Sequence, residues 1–201
     1  MIYRNMYRGY SKTKNISIEK VDGIQAVSAA YIGDIVFLYF EADKKDIYPS
    51  FVHGDLISFP DGRKWERMND IFHYSSPQSV AHWQRNFKKS PVFLINRLDS
   101  ERISEYIYYH FQYQEEFPGD GDRYGIIFSI EDIIVMYLEH PTEKDTKIIP
   151  GMLKTKNTPR HKKWEELTNS MFIPLLTKEA KWNKMEIINS SSLLPACFSV
   201  S

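Results

Sequence analysis

The stretch that decides the fold is residues 31–42, Tyr31-Ile-Gly-Asp-Ile-Val-Phe-Leu-Tyr-Phe-Glu-Ala42. It returns at residues 129–140 as Ser129-Ile-Glu-Asp-Ile-Ile-Val-Met-Tyr-Leu-Glu-His140. Asp34, Ile35, Tyr39 and Glu41 recur as Asp132, Ile133, Tyr137 and Glu139, and the residues between them are apolar in both copies. Further on, Lys64-Trp65-Glu66 recurs as Lys163-Trp164-Glu165, and Trp83 as Trp182, so the repeat pairs all 4 tryptophans of the chain. A repeat of about a hundred residues is too long for a solenoid unit and suits a duplicated small domain. Any pocket is then expected to be built from two related half-sites.

Working outward, the second half reads clearly. Pro91–Leu98 has the composition of a buried strand. Asp99 and Ser100 offer N-cap oxygens, and Glu101 suits the positive end of a helix dipole. Ile103, Tyr106, Ile107, His110, Phe111 and Gln114 follow at helical spacing on one face. Pro118–Asp122 is a turn, and Tyr124–Phe128 and Ile133–Leu138 are β-branched and aromatic, joined by a short hairpin link. Thr158-Pro159 predicts the start of a second helix carrying Trp164, Leu167, Thr168 and Met171, and Trp182–Ile188 reads as a closing strand. The order is β-α-β-β-α-β, the ferredoxin-like arrangement.

The first half follows this order only from Ala26 onward, with a strand at Ile35–Phe40, a helix at Trp65 and a strand at Trp83. Tyrosines, lysines and the Val21-Asp-Gly23 turn interrupt residues 1–25, so the first copy reads as degenerate at its start. The expectation is an α+β chain of two tandem ferredoxin-like repeats, 1–89 and 90–189, with a serine-rich tail at 190–201. Each repeat leaves one sheet face bare, and the two are expected to pair as a pseudo-dimeric α+β barrel, monomeric on that account or a homodimer.

Composition narrows the function. The 42% hydrophobic and 14% aromatic content of the 201 residues supplies a real core. Lysine plus arginine equals aspartate plus glutamate at 26 each, which argues against a nucleic-acid role driven by phosphate neutralisation, although a local patch can hide in a neutral total. The apolar run at Ile35–Phe40 is too short to span a bilayer, no apolar signal core follows Met1, and Cys197 stands alone. A cytoplasmic protein with neither membrane nor nucleic-acid partners is the expectation.

Tyr106 and His110 form the sharpest chemical constellation, because a phenol and an imidazole at i and i+4 project together. The competing reading is a histidine satisfied by a backbone or tyrosine partner at the helix–sheet interface. Glu41 and Glu139 each follow a tyrosine by two residues, so Tyr39 and Tyr137 share their faces. Such a repeated carboxylate suits acid–base or sugar-binding work, or equally a strand-end ion pair inherited from the duplication. Trp65 and Trp164 offer stacking surfaces, or core. Tyr124 and Gln114 complete the expected binding set. The six histidines show no metal-ligand spacing, and no phosphate loop or GxSxG is present.

The order of parts resembles the L-rhamnose mutarotase family of the dimeric α+β barrel superfamily over residues 91–188, with a fainter echo over 26–88. The match rests on a helix bearing Tyr106-x-x-x-His110, a strand starting near Tyr124, an apolar strand ending in Glu139 and a second helix with Trp164. The chain departs from that family in having Lys163-Trp164 in place of paired tryptophans, and in lacking Tyr-x-x-x-His in its first copy. The resemblance implies a cofactor-free sugar isomerase that interconverts anomers of a small reducing sugar by ring opening. His110 would be one acid–base partner and Glu139 or Tyr106 the other, with Trp164 and Tyr124 on the sugar face. The alternatives are a non-catalytic ligand-binding or interaction module on the same barrel, or an oxidative enzyme of that superfamily such as a monooxygenase or haem-binding dehydratase.

Overall fold

A computed structural model describes residues 1–190 apart from Thr177 and Ala180. Of the tail expected at 190–201, Ser190 ends a strand, and residues 191–201, with Cys197, lie outside the described residues. In chain order the elements are β1 (Tyr3–Ile18), β2 (Ile24–Ile32), β3 (Ile35–Ala42), β4 (Val52–Ile57), β5 (Glu66–Arg67), β6 (Asn69–His73) and β7 (Ser90–Leu98). A single 3₁₀ turn leads into α1 (Ile103–Glu116), then β8 (Ile126–Ile130), β9 (Ile133–His140), α2 (Lys162–Asn169), β10 (Phe172–Ile173), β11 (Asn183–Lys184) and β12 (Glu186–Ser190). The fold is α+β, with strands predominating and two α-helices among the described residues. The chain forms two compact units that are not sequential halves. Residues 1–68, 77–92 and the strand β12 make the first, and residues 69–76 and 93–184 the second.

The first unit is a six-stranded sheet in the order β12-β2-β3-β1-β4, with β5 also paired to β1. Its hairpin β2–β3 closes on Gly33 and Asp34, since Ile32 sits directly opposite Ile35. Gly33 has φ of 62°, the positive value that primed hairpin turns need to match strand twist. The second unit repeats this hairpin. Ile130 faces Ile133 across Glu131-Asp132, and Ile127 faces Met136 as Ala29 faces Leu38. Glu131 takes φ of 52° where the first copy has glycine. In both units the turn aspartate's carbonyl accepts from the next strand: Ser11 N donates to Asp34 O at 2.9 Å, and Leu98 N to Asp132 O at 2.8 Å.

Strand β3 is buried from Val36 to Ala42, so both of its faces are covered. Val36, Leu38, Phe40 and Ala42 join one apolar cluster with Tyr7, Val27, Phe51 and Trp65, and Phe40 stacks on Tyr7 at 5.8 Å and meets Phe51 edge-on at 5.2 Å. Phe37, Tyr39 and Glu41 alternate to the opposite face. The second unit's sheet runs β10-β7-β9-β8-β6, with β11 also on β7. Helix α1 lays Tyr106 and Tyr113 on the face that carries Leu98, Ile127 and Ile134.

Several expectations are corrected. No helix forms at Trp65: Phe59 N bonds to Arg63 O in the Pro60–Gly62 turn, and the Lys64 and Trp65 amides donate to the Tyr48 hydroxyl at 2.9 and 3.2 Å. Glu66 and Arg67 then pair with Arg8 and Tyr7 of β1 as strand β5, which commits to the sheet the backbone groups that a helix needs. Trp83 lies in a turn, its amide bonded to Ser79 O and Val80 O, and not in a strand. Residues 1–25 hold the longest strand among the described residues, and a register shift between Ser11 and Ile16 absorbs the polar Lys12–Asn15 stretch. The first unit therefore contains no helix among its described residues and does not follow the β-α-β-β-α-β order. Helix α2 starts at Lys162, because His161 takes a φ of 52° that no helix admits, and the Thr158 amide is held by Glu116. The expected closing strand breaks at Met185: β11 pairs with β7 in the second unit and β12 with β2 in the first.

Trp65 fits only because Gly9 has no side chain. A Cβ there would lie 2.8 Å from Trp65 Cε3 and 3.0 Å from the Lys64 carbonyl. Gly9→Ala is expected to cost about 1–3 kcal/mol in urea unfolding. An unchanged midpoint would show that the Trp65 ring moves aside freely.

Candidate functional site

Helix α1 places Tyr106, His110 and Tyr113 inward one turn apart, as their shared burial shows. The His110 ring lies 3.9 Å from that of Tyr106, 5.1 Å from Phe72 and 4.9 Å from Trp164 of α2. Its Nδ1 bonds to the Tyr106 carbonyl at 2.9 Å, which fixes the neutral imidazole with the proton on Nδ1. Burial pulls its pKa down to about 4, only partly offset by that carbonyl. Burial likewise pushes the Tyr106 phenol well above its ordinary value. Tyr106, His110 and Trp164 are thus brought together, as the sequence suggested, in an apolar setting that favours uncharged forms.

Glu139 is elsewhere. Ile134 and Met136 of β9 pack with α1 in the apolar cluster, and Leu138 faces the same way, near Gly125. Strand alternation then turns Tyr137 and Glu139 to the opposite face, where Tyr137 meets Phe93 of β7 edge-on at 5.3 Å. The sheet itself separates Glu139 from His110. Glu139 accepts from the Tyr137 hydroxyl at 2.9 Å, and its amide donates to Asp122 at 3.2 Å.

The same tyrosine–glutamate bond occurs in the first unit, Tyr39 hydroxyl to Glu41 at 3.0 Å. There Glu41 is fully buried and accepts five hydrogen bonds from four side chains. Besides Tyr39, Trp83 Nε1 donates at 2.8 Å, Gln25 Nε2 at 3.0 Å, and Arg85 through both terminal nitrogens at 2.7 Å each. Arg4 and Gln25 stand directly opposite Glu41 on the flanking strands. Arg4 Nε donates to the Tyr39 hydroxyl at 3.1 Å, and its guanidinium lies 5.3 Å from the Trp83 ring centre. Burial pushes the Glu41 carboxyl upward, but Arg85, Trp83 and Arg4 outweigh it and hold the pKa below its ordinary value. This carboxylate is saturated, and it matches the ion-pair reading of the repeated glutamate.

The remaining expected binding residues take structural places. Gln114 Oε1 accepts the His73 amide of β6 at 2.9 Å. Trp65 sits in the first unit's apolar cluster. Tyr124 is fully buried beside the Arg123 guanidinium, 5.5 Å from its ring centre. Sequence reasoning overlooked Arg4, Gln25 and Arg85. The one available signal was Arg85 two residues after the paired Trp83, a cation able to answer a carboxylate on an apolar strand.

No group of three or more histidine, cysteine, aspartate or glutamate side chains capable of holding a metal occurs among the described residues. No described helix is long and apolar enough to cross a membrane. Neither a family model, nor a curated protein, nor a solved structure matches this chain.

Glu41→Gln strands the Arg85 charge in the interior and is expected to cost about 3–5 kcal/mol in chemical unfolding; a loss under about 1 kcal/mol would mean that Arg85 escapes to water. His110 ionises more readily unfolded than folded, so it contributes a loss of stability as pH falls from about 6.5 towards 4, on the order of 3 kcal/mol at the acid end. Unfolding free energies measured between pH 7 and 4 are expected to show this slope in the parent protein and to lose it in His110→Phe.

Proposed function

We propose that this chain is a non-catalytic interaction module on an α+β scaffold. The observation that carries this is the position of the sheet between His110 and Glu139. Anomer interconversion by ring opening requires one group to take the anomeric proton while another protonates the ring oxygen. Here the imidazole and the carboxylate face opposite ways, and the repeated carboxylate of the first unit is already saturated by donors. The repeated hairpin, with its shared register and shared tyrosine–glutamate bond, supports duplication of a structural element. In the second unit the element order and the sheet order support a ferredoxin-like unit extended by β6.

A second reading keeps the mutarotase-like sugar isomerase, with His110 and Tyr106 as the acid–base pair and Trp164 beside them. The contact of the His110 ring with both Tyr106 and Trp164 favours it. NMR exchange on a panel of reducing sugars, rhamnose and fucose included, separates the two. On the interaction-module reading, α/β exchange rates are the same with and without the folded protein, and His110→Ala lowers stability by roughly 2–4 kcal/mol through the cavity it leaves. Acceleration of one sugar that His110→Ala abolishes would establish the isomerase instead.

A further inference from the structure

The chain carries no net charge, yet residues 144–163 hold six lysines and Arg160 with the single carboxylate Asp145, a net of +6 within the segment; from outside it Asp120 faces Lys144 and Arg160, and Glu166 faces Lys162. Asp145 is buried, while Lys144, Lys147, Lys154, Lys156, Lys162 and Lys163 are exposed. Amid these lysines the run Ile148-Ile-Pro-Gly-Met-Leu153 turns its large side chains to solvent. Ile148 is 51% exposed, Ile149 55%, Met152 75% and Leu153 38%. No other described segment clusters four exposed aliphatic side chains so closely in sequence, and such a patch marks an interaction site.

The backbone is anchored at Met152 and just downstream of the patch. Met152 N donates to Glu115 Oε2 at 2.6 Å, and Thr155 Oγ1, Asn157 N and Thr158 N all donate to Glu116. Downstream, Arg160 pairs with Asp120 and stacks 4.1 Å from the Phe117 ring centre. Upstream, Arg123 binds Glu143 at 3.0 Å. The apolar residues are therefore presented by a loop tied to the unit at Met152 and on either side of the patch, and each such tie reduces the entropic cost of binding.

We propose that this loop is a docking surface for an anionic lipid bilayer, into whose interfacial zone Ile149 and Met152 insert while the lysines meet acidic headgroups. The inference rests on reading the chain as an interaction module and names the partner of that module. The charge pattern favours lipid over protein. The cations are almost all lysines, hydrated point charges on long stems suited to a diffuse anionic surface, whereas a protein hot spot is built on aromatic side chains and arginine forks. Aliphatic insertion and charge attraction together supply the two signals that stable peripheral attachment requires.

The test is co-sedimentation of the full chain with vesicles of phosphatidylcholine alone and of phosphatidylcholine with about a third phosphatidylserine, at low and high salt. Binding is expected to the anionic vesicles only and to fall at least tenfold as salt rises from about 0.1 to 0.5 M. Ile149→Ser with Met152→Ser, and separately Lys154→Glu with Lys156→Glu, are each expected to weaken partition about tenfold or more. All four positions are exposed, so far-UV circular dichroism and the thermal midpoint should match the parent and exclude misfolding. Absence of vesicle binding, equal binding to neutral vesicles, or binding that survives Ile149→Ser with Met152→Ser overturns the proposal. So does self-association abolished by those serine variants in the absence of lipid, which would make the loop a protein contact. Sugar exchange is measured separately, so failure of the vesicle experiment leaves the interaction-module reading to be judged on its own assay.

Discussion

A carboxylate in a protein interior must be answered, and the first unit is organised around answering Glu41. An isolated buried charge costs far more than a small domain's net stability, so donors have to arrive from several directions. Gln25 comes from the neighbouring strand, Tyr39 from two residues back along the same strand, and Trp83 and Arg85 from a segment far along the chain. That last requirement accounts for an oddity of chain path. Residues 69–76 belong to the second unit, yet residues 77–92 return to the first before the chain leaves again. Once Arg85 is bound through both terminal nitrogens, neither partner can be removed without stranding the other.

Much of the second unit was legible in the sequence because its signals are local. The Asp99 cap, which accepts the Glu101 amide, the helical spacing from Ile103 and the two apolar strands each point to one structure. Residues 31–42 and 129–140, alike in sequence, also turn in the same register. The reading failed where a local signal had a distant competitor. Lys64 and Trp65 look like the start of a helix because their counterparts lie on one, but the next residues, Glu66 and Arg67, pair with β1. Similarity to a helical segment carries no information about a partner strand far back along the chain. The same limit hid Arg4 and Gln25, which reach Glu41's neighbourhood only through strand pairing.

The grouping of His110 with Glu139 illustrates a different limit. Each residue was placed correctly on its own element, one on the inner face of a helix and one at the end of an apolar strand. What decides whether they meet is the parity of the strand position. A helix covers one face of its sheet, and every second residue of the strand points away from it. Ile134 and Met136 pack with α1, so Tyr137 and Glu139 do not. A fully buried strand such as β3 hides this parity, because both of its faces are apolar enough to read as core.

Helix α1 ends against its own electrostatic preference. Its last turn carries Glu115 and Glu116 and no basic residue, although the negative end of a helix dipole disfavours carboxylates by about 0.3–1 kcal/mol. A local rule broken in this way needs a compensating use, and the structure supplies one. Burial pushes the Glu116 carboxyl upward, yet the donors of Gln112, Thr155 and Thr158 prevail and bring its pKa down to about 2. Glu115 takes the Met152 amide. The two carboxylates replace the partners that the amides of a loop would otherwise seek in water, and they do so from a rigid element. The helix accepts a small electrostatic penalty at its terminus, and the loop that carries the exposed aliphatic side chains gains backbone anchors at Met152, Asn157 and Thr158.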